Sequence, residues 1–136
     1  MKLSEIIKIT SAEVIKNFEK DIDVKISTDT RTIKKGDLYL PLKGENFDGE
    51  NFINTAIENG AAAVFVTKNT EFPIPTFKVS NTLTAYLELA NYRRHCLNCK
   101  VVAITGSSGK TTTKEMVSSV LCEKYKTFKT PLKQLS

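Results

Sequence analysis

No stretch of this chain approaches the run of about 18 apolar residues that a membrane-crossing helix needs, so no membrane span is expected. The opening residues, Met1 to Lys8, lack the apolar core of a signal peptide, and cytoplasmic residence is the expectation. Cysteine is sparse, with three in 136 residues. Cys96 and Cys99 make a single C-x-x-C beside His95, and Cys122 stands apart. A zinc site would need a second ligand pair, and a thioredoxin-like site would need its motif between a strand and a helix start. Neither context is present, so ordinary reduced thiols in a linker are expected. No basic run is interleaved with aromatic residues, and no nucleic-acid partner is expected. Internal repeats and low-complexity segments are also missing.

What the chain does have suits one domain, or one small domain with part of another. At 40% hydrophobic and 26% charged residues it can bury an ordinary core. Its formal charge of +5 is unevenly placed. Residues 1–100 carry 14 Lys and Arg against 13 Asp and Glu, whereas residues 101–136 carry 6 against 2. The positive excess lies at the C-terminal end, where it would suit a polyanionic small molecule.

That end contains the most informative stretch. Val101-Val102-Ala103-Ile104-Thr105 runs into Gly106-Ser107-Ser108-Gly109, and Lys110-Thr111-Thr112-Thr113 follows with helical spacing after it. This is the pattern of a buried strand, a phosphate-cradling loop and a helix start. Glycines let backbone N–H groups close on phosphate oxygens without a Cβ in the way. The helix start adds partial positive charge, Lys110 a full charge, and the Thr111 hydroxyl a ligand for magnesium. The full Gly-x4-Gly-Lys-Ser/Thr pattern is not met, because Ile104 occupies the first glycine's place. The shorter form Thr-Gly-x-x-Gly-Lys-Thr-Thr stands instead. A helix is expected over Thr112–Tyr125, with Met116, Val117, Val120 and Leu121 on its buried side. The tail from Lys126 could begin one more strand.

Ahead of the loop, periodicity predicts a helix over Leu3–Thr10, with Ser4 as a candidate cap, and a second helical piece over Ser11–Phe18. Strands are expected over Val24–Thr28, Leu38–Leu42, Ala61–Val66 and Thr76–Val79. Pro41 favours an edge position or a strand end. Helices are expected over Phe52–Asn59, stopped by Gly60, and over Thr82–Arg94, capped by Ser80 or Asn81. The second of these shows a broad apolar side of Leu83, Tyr86, Leu87, Leu89 and Ala90. Between strand and helix, residues 43–51 form a polar loop with two glycines, which suits either a solvated connection or ligand contacts. The fold class is therefore α/β: a small mixed α/β domain, whose substrate-binding role is implied only by the resemblance described next, then the first strand, P-loop and helix of a truncated ATPase domain.

Several motifs now stand together: Ser27-Thr28-Asp29-Thr30-Arg31, Gly36-Asp37-Leu38-Tyr39, Gly44-x-x-Phe47-Asp48-Gly49-x-x-Phe52, Gly60-Ala61, and Ile104 through Thr112. In combination they resemble the N-terminal part of the Mur ligase family, the ATP-dependent amide ligases of cell-wall precursor synthesis. Phe47-Asp48-Gly49 and Thr112-Thr113-Lys114-Glu115-Met116 are most similar to the members that add D-alanyl-D-alanine. The resemblance implies three domains in the family enzyme, holding the UDP end of the substrate, ATP, and the incoming amine. On this chain it implies a UDP-substrate domain at 1–80, a linking helix and linker at 81–98, and the start of the ATP domain at 99–136. It also implies ATP and Mg2+ as cofactors, UDP-N-acetylmuramoyl-tripeptide and D-alanyl-D-alanine as substrates, and an acyl phosphate on the reaction path. A monomer is expected.

Carried over by position, Gly106, Ser107, Ser108, Gly109, Lys110, Thr111 and Thr112 match the ATP loop, with Lys110 and Thr111 in catalytic roles and Thr111 on the magnesium side. Thr30 and Arg31 match a Ser-Arg pair of the uridine-side domain, with threonine for the usual serine. Gly44, Asp48 and Gly49 match its second substrate loop, where Glu50 and Asn51 replace a common His-Asp pair. Arg31 has a second reading, as the partner of Asp29 or Asp37 in a structural ion pair. After Pro131 the family continues with a Gly-Asn-x-Asn-Asn stretch, but Leu132-Lys133-Gln134-Leu135-Ser136 stands here. A fragment or frame-disrupted product, inactive alone, is the expectation. The alternatives are a non-catalytic module that binds a UDP-muramoyl peptide, and a different Mur ligase or related P-loop enzyme.

Overall fold

A computed structural model describes residues 1–44 and 47–131. Glu45 and Asn46 of the polar loop, and the divergent end Leu132 to Ser136, lie outside the described residues. The chain forms two units, Met1–Leu97 and Asn98–Ser136.

The first unit is built on a five-stranded sheet in the order β1-β5-β4-β3-β2. Its strands are β1 (Glu13–Lys16), β2 (Ile26–Ser27), β3 (Leu38–Tyr39), β4 (Ala63–Val66) and β5 (Thr76–Lys78). β2 to β5 run parallel, in the registers Ile26↔Leu38, Leu38↔Ala63 and Val64↔Thr76. Parallel strands need crossovers, and α2 (Ile53–Glu58), entered through a 3-10 turn at Gly49–Phe52, supplies the one from β3 to β4.

Side-chain alternation assigns the two faces. Leu38, Leu40, Ala63, Phe65 and Phe77 join Leu3 and Ile6 of α1 (Leu3–Thr10) and Ala85 and Leu89 of α3 (Thr82–Cys96) in one core. Tyr39, Val64 and Val66 point the other way and meet Ile53 and Ala56 of α2. β4 is buried along its whole length, which explains why its sequence is a continuous apolar run and not an alternation.

Several expectations change. The helical piece over Ser11–Phe18 is instead β1. Ser11 adopts φ 49° and ends α1, after which β-branched Val14 and Ile15 enter an edge strand antiparallel to β5, with Glu13 opposite Lys78 at 2.9 Å. Ser4 is not the cap of α1. Its N–H and hydroxyl both donate to Asp21, at 3.0 and 2.6 Å, so a carboxylate from a later loop serves that helix end. Pro41 sits past the end of β3, which is an interior strand; the strand-end reading holds and the edge reading does not. Asn81 caps α3 by accepting the Thr84 N–H at 3.0 Å. However, the buried stripe of α3 is Thr82, Ala85 and Leu89, while Leu83, Tyr86, Leu87 and Ala90 are exposed. Packing against α1 selects that stripe, and the Tyr92 hydroxyl donates to Glu5 at 2.6 Å along the same seam.

In the second unit α4 spans Lys110–Cys122, so it starts two residues before the expected Thr112 and stops three before Tyr125. The expected buried strand at residues 101–104 has no ladder partner among the described residues, and Val101 and Val102 are 61% and 62% exposed. On α4, Met116 and Val120 are 66% and 72% exposed, while Ser118 is buried. Apolar periodicity names the side that would be buried; a neighbouring strand is needed to bury it.

Candidate functional site

The loop 106–109 owes its shape to its two glycines. Gly106 has φ +153° and Gly109 φ +73°, values that residues with a Cβ rarely adopt. Gly109 is the N-cap of α4 and offers no side chain to it, so the first N–H groups of α4 have no side-chain cap. The Lys110 ammonium lies back across the loop and donates to the carbonyls of Gly106 at 2.5 Å and Ser107 at 3.4 Å. A cavity of about 250 Å3 opens beside it, lined by Val102, Ile104, Lys110, Thr111, Lys114 and Thr130.

Lys110 and Thr111 are thus brought into one pocket, with Gly106 and Ser107 bonded to the lysine. Ser108, Gly109 and Thr112 are exposed on the same loop and helix start. Lys114 was not anticipated as a site residue. It stands one helical turn after Lys110 and donates to the Thr130 carbonyl at 2.7 Å. Lys129 pairs with Glu115, which holds that carboxyl below its usual range, through their hydrogen bond first. The four-residue spacing of Lys110 and Lys114 was the available signal. Thr130 had none, because it comes from 16 residues further along.

This donor set fits a nucleotide phosphate: uncapped helix N–H groups, two ammonium groups and one hydroxyl around a polar opening. It also fits Mg2+ when that ion is held mainly by phosphate oxygens and water, with Thr111 as a protein oxygen. Among the described residues no three His, Cys, Asp or Glu side chains gather into a cation site of their own.

The second group of candidates lies in the first unit, on loops that leave the C-terminal ends of the adjacent parallel strands β2 and β3. In open α/β sheets that edge is where ligands bind. Arg31 is 87% exposed along its side chain and lies bidentate on Asp29, with Nε 3.0 Å from Oδ1 and Nη2 2.6 Å from Oδ2. Of the two ion-pair partners considered, Asp29 is the one found. The Arg31 hydrogen bonds hold the Asp29 carboxyl down at about 2. Asp37 instead accepts the Lys34 N–H at 2.8 Å. The Thr30 carbonyl is fixed by the Asn59 side chain at 2.9 Å.

On the β3 loop, the Gly44 N–H donates to the Phe47 carbonyl at 2.7 Å, and Asp48 accepts the Glu50 N–H at 3.0 Å with Lys43 at 3.6 Å. Gly49 has a packing role. A Cβ there would lie 2.7 to 3.0 Å from backbone atoms of Leu42 and Pro41. The Tyr39 hydroxyl donates to its carbonyl at 3.0 Å. Burial pushes that hydroxyl's pKa up, and the charges of Asp29 and Asp48 push the same way, so both loops bear on the end of β3. Glu50, at one of the positions that depart from the family pattern, accepts the Thr67 N–H at 2.8 Å and ties this loop to the end of β4.

Residues 24–95 match the Mur ligase family, catalytic domain, and residues 104–136 match the Mur ligase middle domain. The chain belongs to the Mur ligase family. The UDP-N-acetylmuramoyl-tripeptide–D-alanyl-D-alanine ligase of Bacillus subtilis is 38% identical over 131 residues, which is 94% of this chain and 28% of that protein. A crystal structure of MurF from Acinetobacter baumannii superposes with a TM-score of 0.82 at 36% identity, covering 89% of this chain and 27% of that one. MurF from Thermotoga maritima in complex with ADP gives 0.73 at 34% identity, covering 81% and 26%. This Mur ligase chain therefore spans little more than a quarter of the length of the relatives it matches, and corresponds to their N-terminal portion. Among the described residues no helix is long and apolar enough to cross a membrane.

Proposed function

We propose that this chain is the substrate-entry part of a ligase that joins D-alanyl-D-alanine to UDP-N-acetylmuramoyl-tripeptide in the cytoplasm. In this reading residues 1–80 hold the UDP end, 81–98 link, and 99–136 open the ATP-binding domain. The observation that carries it is the pairing of two features in one chain. One is a phosphate loop with Lys110 and Thr111 on a shared pocket; the other is a sheet edge that presents Thr30, Arg31, Gly44, Asp48 and Gly49. The names of the relatives supply the substrate class.

In the ATP part, the Gly106–Thr112 backbone and Lys110 bind and neutralise phosphate oxygens. Lys110 exchanges its carbonyl partners for phosphate ones, and Thr111 offers its hydroxyl to magnesium. Bound ATP would supply its terminal phosphoryl group to a carboxylate, releasing ADP and giving an acyl phosphate from which an attacking amine would expel phosphate. Lys114 and Thr130 hold the far wall of the pocket. In the first unit, Arg31 and the Gly44–Gly49 loop orient the nucleotide end of the substrate.

Two measurements test this. Calorimetry of the 136-residue chain with UDP should show binding, and absence of heat would defeat the uridine-side reading. Phosphate release from ATP, Mg2+, UDP-muramoyl-tripeptide and D-alanyl-D-alanine should stay at background, because so much of the relatives' length is not included here. Clear turnover would show that these residues suffice for catalysis.

A further inference from the structure

The ion pair on the β2 loop is more specific than a surface contact requires. Asp29 engages Arg31 through its side chain and also accepts the Arg31 N–H at 2.9 Å. Its own carbonyl takes the Ser27 hydroxyl at 3.0 Å and the Thr32 hydroxyl at 3.3 Å. The Asn59 amide fixes the intervening Thr30 carbonyl. A loop held at Asp29, Thr30, Arg31 and Thr32 thus presents one guanidinium in one orientation. Asp29 covers the Nε and Nη2 edge, and among the described residues Nη1 has no protein partner. A phosphate cannot be gripped in the usual two-pronged way on an edge a carboxylate already fills.

We infer that Asp29 is a positioning residue that turns Arg31 so that its free Nη1 end meets one acceptor oxygen of the uridine nucleotide. This rests on the uridine-side reading above. The pairing persists at neutral pH, since the Asp29 carboxyl is held far below its usual range. Arg31 brings little net charge to the ligand, because Asp29 offsets it. Its contribution is a directed hydrogen bond, not an attraction for polyanions at large.

The test is a double-mutant cycle on the full chain, with UDP as the probe and calorimetry as the readout. R31A should weaken binding about tenfold and D29N about three- to tenfold, while D29N/R31A should be no weaker than R31A alone. Thermal unfolding should show all three folded, with melting temperatures only slightly below the parent's, since the pair lies at the surface. The Arg31 Nε–H resonance should be sharp in the parent and lost in D29N, a readout that needs no ligand. Repeating the cycle with uridine places the acceptor: coupling with uridine assigns it to the nucleoside, and coupling with UDP only assigns it to the diphosphate. If D29N weakens binding equally with and without Arg31, or strengthens it, the role of Asp29 is refuted and the uridine reading stands. If the parent shows no UDP binding, the uridine reading falls, and the role of Asp29 falls with it.

Discussion

The two units of this chain use the same alphabet and reach opposite outcomes. In Met1–Leu97 an apolar run such as Ala63–Val66 is sealed by strands on both sides and helices on both faces, and Phe65 is wholly buried. In Asn98–Ser136 an equally apolar run at 101–104 has no ladder partner among the described residues, and α4 leaves Met116 and Val120 exposed. The runs do not differ in hydrophobicity. They differ in whether neighbours exist to receive them. A candidate site on the first unit is therefore held by a closed core, and the phosphate loop on the second by local geometry.

The sharpest way to break this contrast is by large-to-small substitution. Phe65→Ala should cost about 3–5 kcal/mol in denaturant unfolding of the first unit, because it empties space between tightly packed neighbours. Val120→Ala should change stability by less than about 0.5 kcal/mol. A comparable loss at both positions would mean that the α4 face is covered in solution. Next in size is Gly49→Ala, which drives a Cβ to 2.7 Å from the Leu42 carbonyl oxygen and should cost about 1–3 kcal/mol in thermal unfolding. Gly109→Ala meets nothing within 4 Å, so its cost is conformational, about 1 kcal/mol, with weakened phosphate binding as its larger effect. An equal melting shift for the two glycine variants would deny the close packing at Gly49.

Smaller still is the pH dependence of the Asp29–Arg31 pair. The folded carboxyl titrates at about 2 against an ordinary 3.8, so its stabilisation is fully present above 3.8 and is lost as pH falls toward 2. Melting temperatures of the parent and D29N should differ slightly at pH 5 and converge near pH 2. A difference that grows on acidification would reverse the sign. Lys114→Ala sharpens the comparison from the other side. It should loosen the Thr130 segment and weaken ATP binding severalfold, yet leave UDP binding on the first unit unchanged.

Much of the fold was legible in local patterns. The bounds of α1, the buried β4, Gly60 after α2 and the Asn81 cap each follow from a spacing or a single residue type. What escaped was decided by partners distant in sequence. Val14 and Ile15 became strand because β5 lies beside them, and Ser4 is served by Asp21, 17 residues away. The exposed stripe of α3 looked more apolar than the buried one, and only the position of α1 chose between them. The phosphate loop was plain because glycines, lysine and threonine carry its chemistry within one turn of chain. Lys114 and Thr130 were not, since a pocket wall is assembled from separate segments.

By itself, then, the sequence determined the α/β alternation, the glycine-framed loop that opens α4, and the family. These depend on residue types at fixed short separations, which backbone geometry converts directly into shape. The tertiary structure alone decided that Asp29 pairs with Arg31, that Gly49 packs closely on the Leu42 and Pro41 backbone, and that Met116 and Val120 of α4 are exposed. Those outcomes depend on which surfaces meet, and burial is a property of neighbours, not of a residue.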